Sequence, residues 1–141
     1  MNRTISRRAS RLIAVALILS SAACTGSEPE SANEPASAPR GAYHGEIWSD
    51  GMSPSVTEFY GETRDGRDGV YRFEYGDDVE EGVLLDCKRL KAQEFRCGWK
   101  DRWGSGQLDL KFSADFNAFT GVWSDESNPP SLGLRWHGAR R

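Results

Sequence analysis

Short runs of alternating apolar and polar residues, separated by turn-forming residues, extend from Ala42 to the end of the chain. Around Tyr71, Phe73 and Tyr75, for example, every second residue is aromatic and the residues between them are charged. A period of two with one polar face is typical of an antiparallel sheet that packs its other face on a core. The pattern predicts eight β-strands, over residues 42–49, 55–62, 69–76, 82–88, 94–100, 106–112, 118–124 and 131–137.

Inward faces can be assigned in four of these strands, and no segment has a helical period. The predicted inward sets are Tyr71, Phe73 and Tyr75; Phe95, Cys97 and Trp99; Leu108, Leu110 and Phe112; and Leu132, Leu134 and Trp136. Even spacing with short connections favours an all-β fold, a single small antiparallel meander. We expect it to close into an up-and-down, calycin-like barrel, because closure removes the unpaired edges of the sheet. A flattened β-sandwich of the same strands is the alternative.

An even number of strands has a consequence for the two ends of such a barrel. Both termini emerge at one end, and successive turns alternate between the ends. The end with the termini is predicted to be basic, with seven cations against Asp65, Asp68 and Asp115: Arg40, Arg64, Arg67, Arg89, Lys91, Arg140 and Arg141. The other end is predicted to be acidic, with eight carboxylates against Arg102: Asp50, Asp77, Asp78, Glu80, Glu81, Asp101, Asp125 and Glu126.

The first 23 residues differ from the rest of the chain. They contain four arginines and no acid, followed by an apolar run from Leu12. The run covers about 12 residues, too few for the roughly 20 that cross a bilayer as a helix, and this is typical of a signal peptide. It ends in Ser21-Ala22-Ala23-Cys24, which resembles the lipobox of bacterial lipoproteins.

The resemblance implies that Cys24 becomes the mature N-terminus and carries acyl chains such as palmitate, which anchor the protein to a membrane. Thr25 rather than Asp follows the cysteine, which in a Gram-negative host implies the outer membrane, with the protein facing the periplasm. We therefore divide the chain into a signal peptide (residues 1–23), a lipidated cysteine with a disordered linker (24–40) and a β-barrel-like domain (41–141).

Charge narrows the range of partners. The whole chain has 18 basic and 21 acidic residues. Removal of the signal peptide takes away four arginines and leaves 14 basic and 21 acidic residues, so the mature chain has a net charge of −7. This disfavours nucleic acid binding. We expect a monomer whose contact with the membrane is through its lipid.

The two remaining cysteines, Cys87 and Cys97, fall on adjacent predicted strands of one hairpin. An exported protein meets an oxidising compartment, where disulfides persist. Both thiols are predicted to face inward, where opposed Cβ atoms lie about 4.5–5.5 Å apart, near bridging distance. The predicted inward face carries, with these two, Val83, Leu85, Phe95 and Trp99. The sequence thus predicts a Cys87–Cys97 disulfide.

No known catalytic motif is present: there is no nucleophile elbow, phosphate loop, zinc-protease helix motif or dinucleotide fingerprint. His44 and His137 have no Ser or Cys nucleophile nearby in the sequence and no spacing suited to zinc. The acidic turns do not match an EF-hand loop, so solvated turns are favoured over a calcium site. We expect no catalytic residues, no metal and no cofactor.

Fifteen aromatic residues are a large number for so small a domain. An eight-stranded barrel is just wide enough to be filled by side chains, so a filled core is favoured over a ligand pocket. Two segments resemble each other, Tyr43-His-Gly-Glu-Ile-Trp-Ser-Asp50 and Phe119-Thr-Gly-Val-Trp-Ser-Asp125, and we interpret their glycines as points where a coiled strand bends. Trp103 lies in a predicted turn beside Arg102, which makes this pair the candidate contact with a partner.

Two hypotheses of function follow. The first is a membrane-anchored lipoprotein of the bacterial cell envelope that acts as a non-enzymatic binding or accessory module, with an envelope protein or a small apolar ligand as its partner. The alternative is a lipid-tethered envelope hydrolase whose catalytic residues come together only in the folded chain.

Overall fold

Eight antiparallel strands, each hydrogen-bonded to the next along the chain, form a closed barrel within residues 38–141, the part of the chain that the computed structural model describes. The strands are β1 (Gly41–Trp48), β2 (Met52–Arg64), β3 (Arg67–Tyr75), β4 (Asp78–Arg89), β5 (Glu94–Lys100), β6 (Ser105–Phe112), β7 (Ala118–Ser124) and β8 (Leu134–Ala139). The predicted all-β, up-and-down barrel is confirmed. The predicted signal peptide, Cys24 and most of the predicted linker lie outside the described residues.

The barrel closes where the first strand meets the last. In the antiparallel pairing of β1 with β8, Gly45 lies opposite Gly138. A Cβ atom at Gly45 would collide with the backbone of His137, and one at Gly138 would lie 3.0 Å from the Cβ of Tyr43. Glycine at these two positions therefore allows the close backbone approach that closure requires.

The meander gives the barrel two distinct ends. At what we call the terminal end, the chain enters β1 and leaves β8, and the turns 64–67, 89–94 and 112–118 lie there as well. At the far end lie the turns 48–52, 75–78, 100–105 and 124–134. The last of these contains a single 3-10 turn, Pro130–Leu132, the one helical segment among residues 38–141, and no helix in that range is long and apolar enough to cross a bilayer.

The core at the terminal end is filled by aromatic rings. Tyr43 packs edge-on against Phe59 and Phe119, with ring centroids 5.6 and 5.5 Å apart. Phe112 continues the cluster, 5.4 Å from Phe59 and 5.5 Å from Phe95. Each such ring pair contributes about 0.5–1.5 kcal/mol beyond its burial. This half of the barrel interior matches the predicted filled core.

Strand β4 departs from its predicted face. Val83 and Leu85 are only partly buried, whereas Leu84 is completely buried, so the inward face of this strand is the opposite of the predicted one. A register shift between Leu85 and Lys88 in the pairing with β5 then reverses the alternation. Asp86, in this bulge, adopts a left-handed backbone conformation with φ of 51°.

The predicted disulfide is nevertheless present, because the bulge returns Cys87 to the inward side, where it is bonded to the buried Cys97. The backbone N–H of Cys87 donates a hydrogen bond of 2.7 Å to the Asp68 carboxylate on β3. The disulfide thus joins the two predicted cysteines, but it lies at a bulge rather than between regularly opposed residues of the two strands.

The prediction for the last strand is wrong at its beginning. Strand β8 begins at Leu134 rather than residue 131, and Leu132 is exposed in the 3-10 turn instead of facing the core. The prolines at 129 and 130 explain the difference, since proline has no N–H to give to a sheet and suits the start of a helical turn. Gly133 then leaves that turn in the left-handed conformation, with φ of 65°.

Candidate functional site

A cavity of about 220 Å³ opens at the far end of the barrel, and we call it the cup. Its walls come from both the barrel interior and the far-end turns. The residues that line it are Ile47, Trp48, Ser49, Asp50, Tyr71, Phe73, Tyr75, Trp99, Asp101, Trp103, Trp123, Asp125 and Trp136. Eight of these residues are aromatic and three are aspartates.

All five tryptophans of the protein line the cup. Trp99 and Trp136 are buried and belong to its deep part, together with Tyr71 and Phe73. At the mouth, Trp48, Tyr75 and Trp103 remain 41%, 39% and 58% exposed. The solvent exposure of the aromatic rings therefore increases from the buried floor of the cup to its mouth.

Three of the indole rings are held in place by hydrogen bonds from their N–H groups to other parts of the protein. The Nε1–H of Trp136 donates to Thr57 Oγ1 at 2.9 Å, and that of Trp99 donates to the Ser124 carbonyl at 3.1 Å. Trp123 donates in the same way to the Trp48 carbonyl at 2.8 Å. These three tryptophans consequently present ring surface to the cup, while their polar N–H groups are already satisfied.

Two of the three carboxylates shape the turns around the mouth. Asp101 accepts hydrogen bonds from the backbone N–H groups of Trp103 and Gly104, at 2.8 and 3.1 Å. Asp125 does the same for Ser127 and Asn128, at 2.8 and 2.7 Å. Such Asx turns hold the chain in a fixed conformation. Both carboxylates bring negative charge to the cup and also fix its walls.

Tyr71 links the floor of the cup to this rim. Its hydroxyl donates a 2.9 Å hydrogen bond to Asp101, and its ring lies 4.6 Å from that of Trp136. Burial raises the pKa of the Tyr71 hydroxyl far above its ordinary value, and the nearby negative charge of Asp101, which also accepts its proton in a hydrogen bond, raises it further. Tyr71 is therefore a neutral hydrogen-bond donor at any physiological pH.

The structure places the two residues predicted as a partner contact at the mouth of the cup. Trp103 packs against Tyr75, with ring centroids 5.4 Å apart, and the guanidinium of Arg102 lies 4.4 Å from the centre of the Trp103 ring. Arg102 also forms an ion pair with Glu80, at 3.1 Å. Glu80 was predicted in an acidic turn but lies in β4 with its side chain buried, so this ion pair holds the β5–β6 turn against the barrel.

The expectation of a filled core agrees with the ring packing at the terminal end, whereas at the far end the barrel opens into the cup above a buried aromatic floor. The sequence reasoning also found no inward polar group, whereas Ser55, Thr57 and Glu80 are all buried. A signal for the cup was present in the two similar segments, because both Trp-Ser-Asp sequences end at its mouth. Trp48, Asp50, Trp123 and Asp125 all line it.

Other surface features have less to hold a ligand. A shallow groove of about 700 Å³ on the outer wall between β5 and β8 is larger, but two of its charged groups, Arg96 and Asp109, are paired with each other at 2.6 Å. His137 lies on the same wall, 3.6 Å from Glu46, and neither it nor His44 lines the cup. Within residues 38–141 no three His, Cys, Asp or Glu side chains are grouped so that they could hold a metal ion.

We favour the cup over the groove because aromatic rings, a buried floor and three carboxylates meet in it.

Comparison with known proteins adds no assignment to this geometry. No protein-family model, no curated protein and no solved structure matches the chain.

Proposed function

We propose that the protein is a non-enzymatic binding module that holds a small ligand in the cup, at the end of the barrel opposite to the end where its two termini lie. The observation that carries this proposal is the convergence of all five tryptophans on one cavity. These residues come from four separate parts of the chain, namely β1, β5 with the turn that follows it, β7 and β8, and only closure of the barrel brings them together.

Exposure at the mouth supports binding. Single exposed apolar side chains are normal on protein surfaces, but clustered ones mark interaction sites. Trp48, Tyr75 and Trp103 are all exposed and all line the same opening. A ligand in the cup would remove these rings from water, and burial of apolar surface contributes about 25 cal/mol per Å².

The polar groups of the cup support binding over catalysis. Asp101 and Asp125 are engaged by the backbone of their own turns, and Tyr71 donates to Asp101. Groups held in this way orient the aromatic walls. The hydrolase hypothesis would need a nucleophile or a general base directed into the cavity, and Tyr71, Asp101 and Asp125 are engaged in hydrogen bonds within the protein instead.

We also propose that the barrel is carried on a lipid attached to Cys24, as the resemblance of Ser21–Cys24 to the lipobox implies. Intact mass of the membrane-extracted protein tests this directly. A mature chain that begins at Cys24 and carries acyl mass is the expected result, and a chain that begins elsewhere or lacks acyl mass would refute the tether.

A cup-filling variant tests the binding function. Ser49 lines the cup, whereas Ser131 is exposed in the same far-end region and does not line it. Small apolar and amphiphilic molecules, screened by thermal shift and tryptophan fluorescence, should include compounds that stabilise the wild-type chain in proportion to ln(1 + [L]/Kd). Ser49→Phe should abolish that stabilisation and Ser131→Phe should preserve it. Equal loss in both variants, or none in either, would contradict binding in the cup.

A further inference from the structure

We propose that the cup selects a small quaternary ammonium cation. This inference rests on the proposed function and specifies the chemistry of its ligand. Three properties of the cup support it: the sign of its charge, the way its polar atoms are engaged, and its size.

The charge of the cup is negative and uncompensated within its walls. Asp50, Asp101 and Asp125 line it, and no Lys, Arg or His does. Arg102, which stacks on Trp103 at the mouth, is not part of the lining and is paired with the buried Glu80. A cation entering the cup meets three carboxylates next to low-dielectric aromatic walls, where charge–charge attraction is stronger than in water. An anion meets the same field as repulsion.

The tryptophan walls offer ring faces, and the hydrogen-bond donors of three of these rings are not free for a ligand. The N–H groups of Trp99, Trp123 and Trp136 are already donated to other parts of the protein. A sugar needs donors and acceptors around its hydroxyl groups, and a primary ammonium needs three acceptors for its N–H groups. A quaternary ammonium carries its charge without any N–H, so it loses no hydrogen bond when aromatic rings replace water around it.

The rim already shows that its aromatic surface accepts a cation. The Arg102 guanidinium is stacked 4.4 Å from the centre of Trp103, the most exposed of the rings at the mouth. Tryptophan is the best of the aromatic side chains for such contacts, because its ring face carries the most negative potential. The cup supplies four further tryptophans at the same end of the barrel.

The size of the cavity restricts the ligand to a head group. Sites for drug-sized molecules occupy about 300–1,000 Å³. The cup measures about 220 Å³, which suits a trimethylammonium group with a short substituent. A phospholipid head group would bring a phosphate to an acidic rim, so a free organic cation is the better match.

The test compares choline with dimethylbutanol, its neutral isostere in which carbon replaces nitrogen. Tryptophan emission of the mature protein is the readout, since every tryptophan lines the cup. Choline should bind with a Kd on the order of 1 mM or below and at least about 10-fold more tightly than the isostere. Glycine betaine, which adds a carboxylate to the same cation, should bind more weakly than choline.

Two pairs of variants locate the effect. Asp50→Asn should weaken choline binding by about 5-fold, whereas Asp77→Asn, an equal loss of charge at the same end but outside the cup, should leave it unchanged. Trp103→Leu should weaken it by about 2- to 5-fold, and Trp103→Phe should retain most of the affinity. All three positions are exposed, so circular dichroism should show the native fold in each of the four variants.

The outcomes separate this inference from the proposed function. Equal affinity for choline and its isostere would overturn cation selection and leave a binding site for neutral apolar molecules. An equal effect of Asp50→Asn and Asp77→Asn would also overturn it, because the charge of the cup would then play no specific part. If neither compound binds and the wider screen finds no ligand, the proposed function fails together with the inference.

Discussion

Ser55 and Thr57 lie two residues apart on the inward side of β2, but their hydroxyl groups have different surroundings. Thr57 Oγ1 accepts the hydrogen bond from Trp136 at 2.9 Å. Ser55 Oγ is buried with no hydrogen-bond partner among the described residues. A buried polar group is costly when it lacks a partner and contributes modestly when it has one.

This contrast predicts opposite effects of two small substitutions. Thr57→Val keeps the side-chain volume but leaves the indole N–H of Trp136 unsatisfied, so it should lower the free energy of unfolding by about 1–3 kcal/mol. Ser55→Ala removes an unpaired hydroxyl and should be neutral or stabilising. Urea denaturation measures both. If Ser55→Ala costs as much as Thr57→Val, the Ser55 hydroxyl has a partner such as a bound water.

Tyr71 predicts how stability depends on alkaline pH. Its pKa is raised in the folded protein, by burial first and by Asp101 second, whereas an unfolded tyrosine ionises near pH 10. Above that pH the unfolded chain binds fewer protons than the folded chain. The contribution of Tyr71 to stability is therefore complete below about pH 10 and declines above it, by up to about 1.4 kcal/mol per pH unit.

Tyr71→Phe should make the alkaline decline shallower. The free energy of unfolding, measured by urea denaturation at several pH values from neutral to strongly alkaline, gives the two slopes. An unchanged slope would show that Tyr71 ionises in the folded barrel and that its hydrogen bond to Asp101 does not persist.

At the scale of elements, the hairpin of β4 and β5 shows what alternation can and cannot predict. The faces of β5 and β6 follow from their sequences because burial alternates along each strand with a period of two, whereas in β3 Val70 is buried beside Tyr71 and Tyr75 is exposed at the rim of the cup. Strand β4 contains a bulge at Asp86, and a single extra residue reverses every later face. Local sequence gives no sign of such a bulge, and for this reason the predicted face of Val83 and Leu85 is wrong. The prediction of the disulfide is correct because Cys87, after the bulge, faces inward as expected.

The same hairpin predicts a measurable dependence on redox conditions. The disulfide closes a short loop, with a sequence separation of 10 residues, for which the chain-entropy model gives about 2–3 kcal/mol. Reductant should therefore lower the free energy of unfolding of the wild-type protein by about that amount. A Cys87→Ala, Cys97→Ala double variant should be less stable from the start and should not respond to reductant, and a response in that variant would point to another cause.

At the scale of the whole molecule, the fold was accessible from sequence but the cup was not. Strand number, meander order and the common end of the two termini all follow from local patterns and their spacing. The cup depends instead on which distant side chains reach the same level of the barrel, from Trp48 in β1 to Trp136 in β8. That level is set by strand register and tilt, which turn residues alone do not specify.

The distribution of charge between the ends predicts an orientation on membranes. If Cys24 carries a lipid, the basic terminal end faces the membrane and the cup faces away from it. The soluble barrel should bind anionic vesicles weakly and lose that binding in salt, because each cation near such a surface contributes about 1 kcal/mol before screening.

Two variants of equal net charge test the orientation. Lys91→Glu with Arg141→Glu reverses charge at the terminal end, whereas Lys100→Glu with Arg135→Glu does so elsewhere on the barrel. Arg140 is left in place because its guanidinium covers the ring of Tyr43, 5.3 Å away. Vesicle cosedimentation should fall sharply in the first variant and much less in the second. Equal losses would mean that net charge alone governs the association.

The pairing of β1 with β8 joins strands that lie far apart in the sequence, and this has a consequence for folding. The first strand of the barrel finds one of its two neighbours only in Leu134–Ala139, almost at the end of the chain. Such distant pairing is slow to form, because the entropy of closing the intervening loop is lost before any contact compensates for it. Until β8 arrives, β1 and β7 both expose unpaired edges, which are sites of aggregation. A chain that lacks its last strand is therefore not a shorter barrel but an open sheet with two unpaired edges that can pair with other chains.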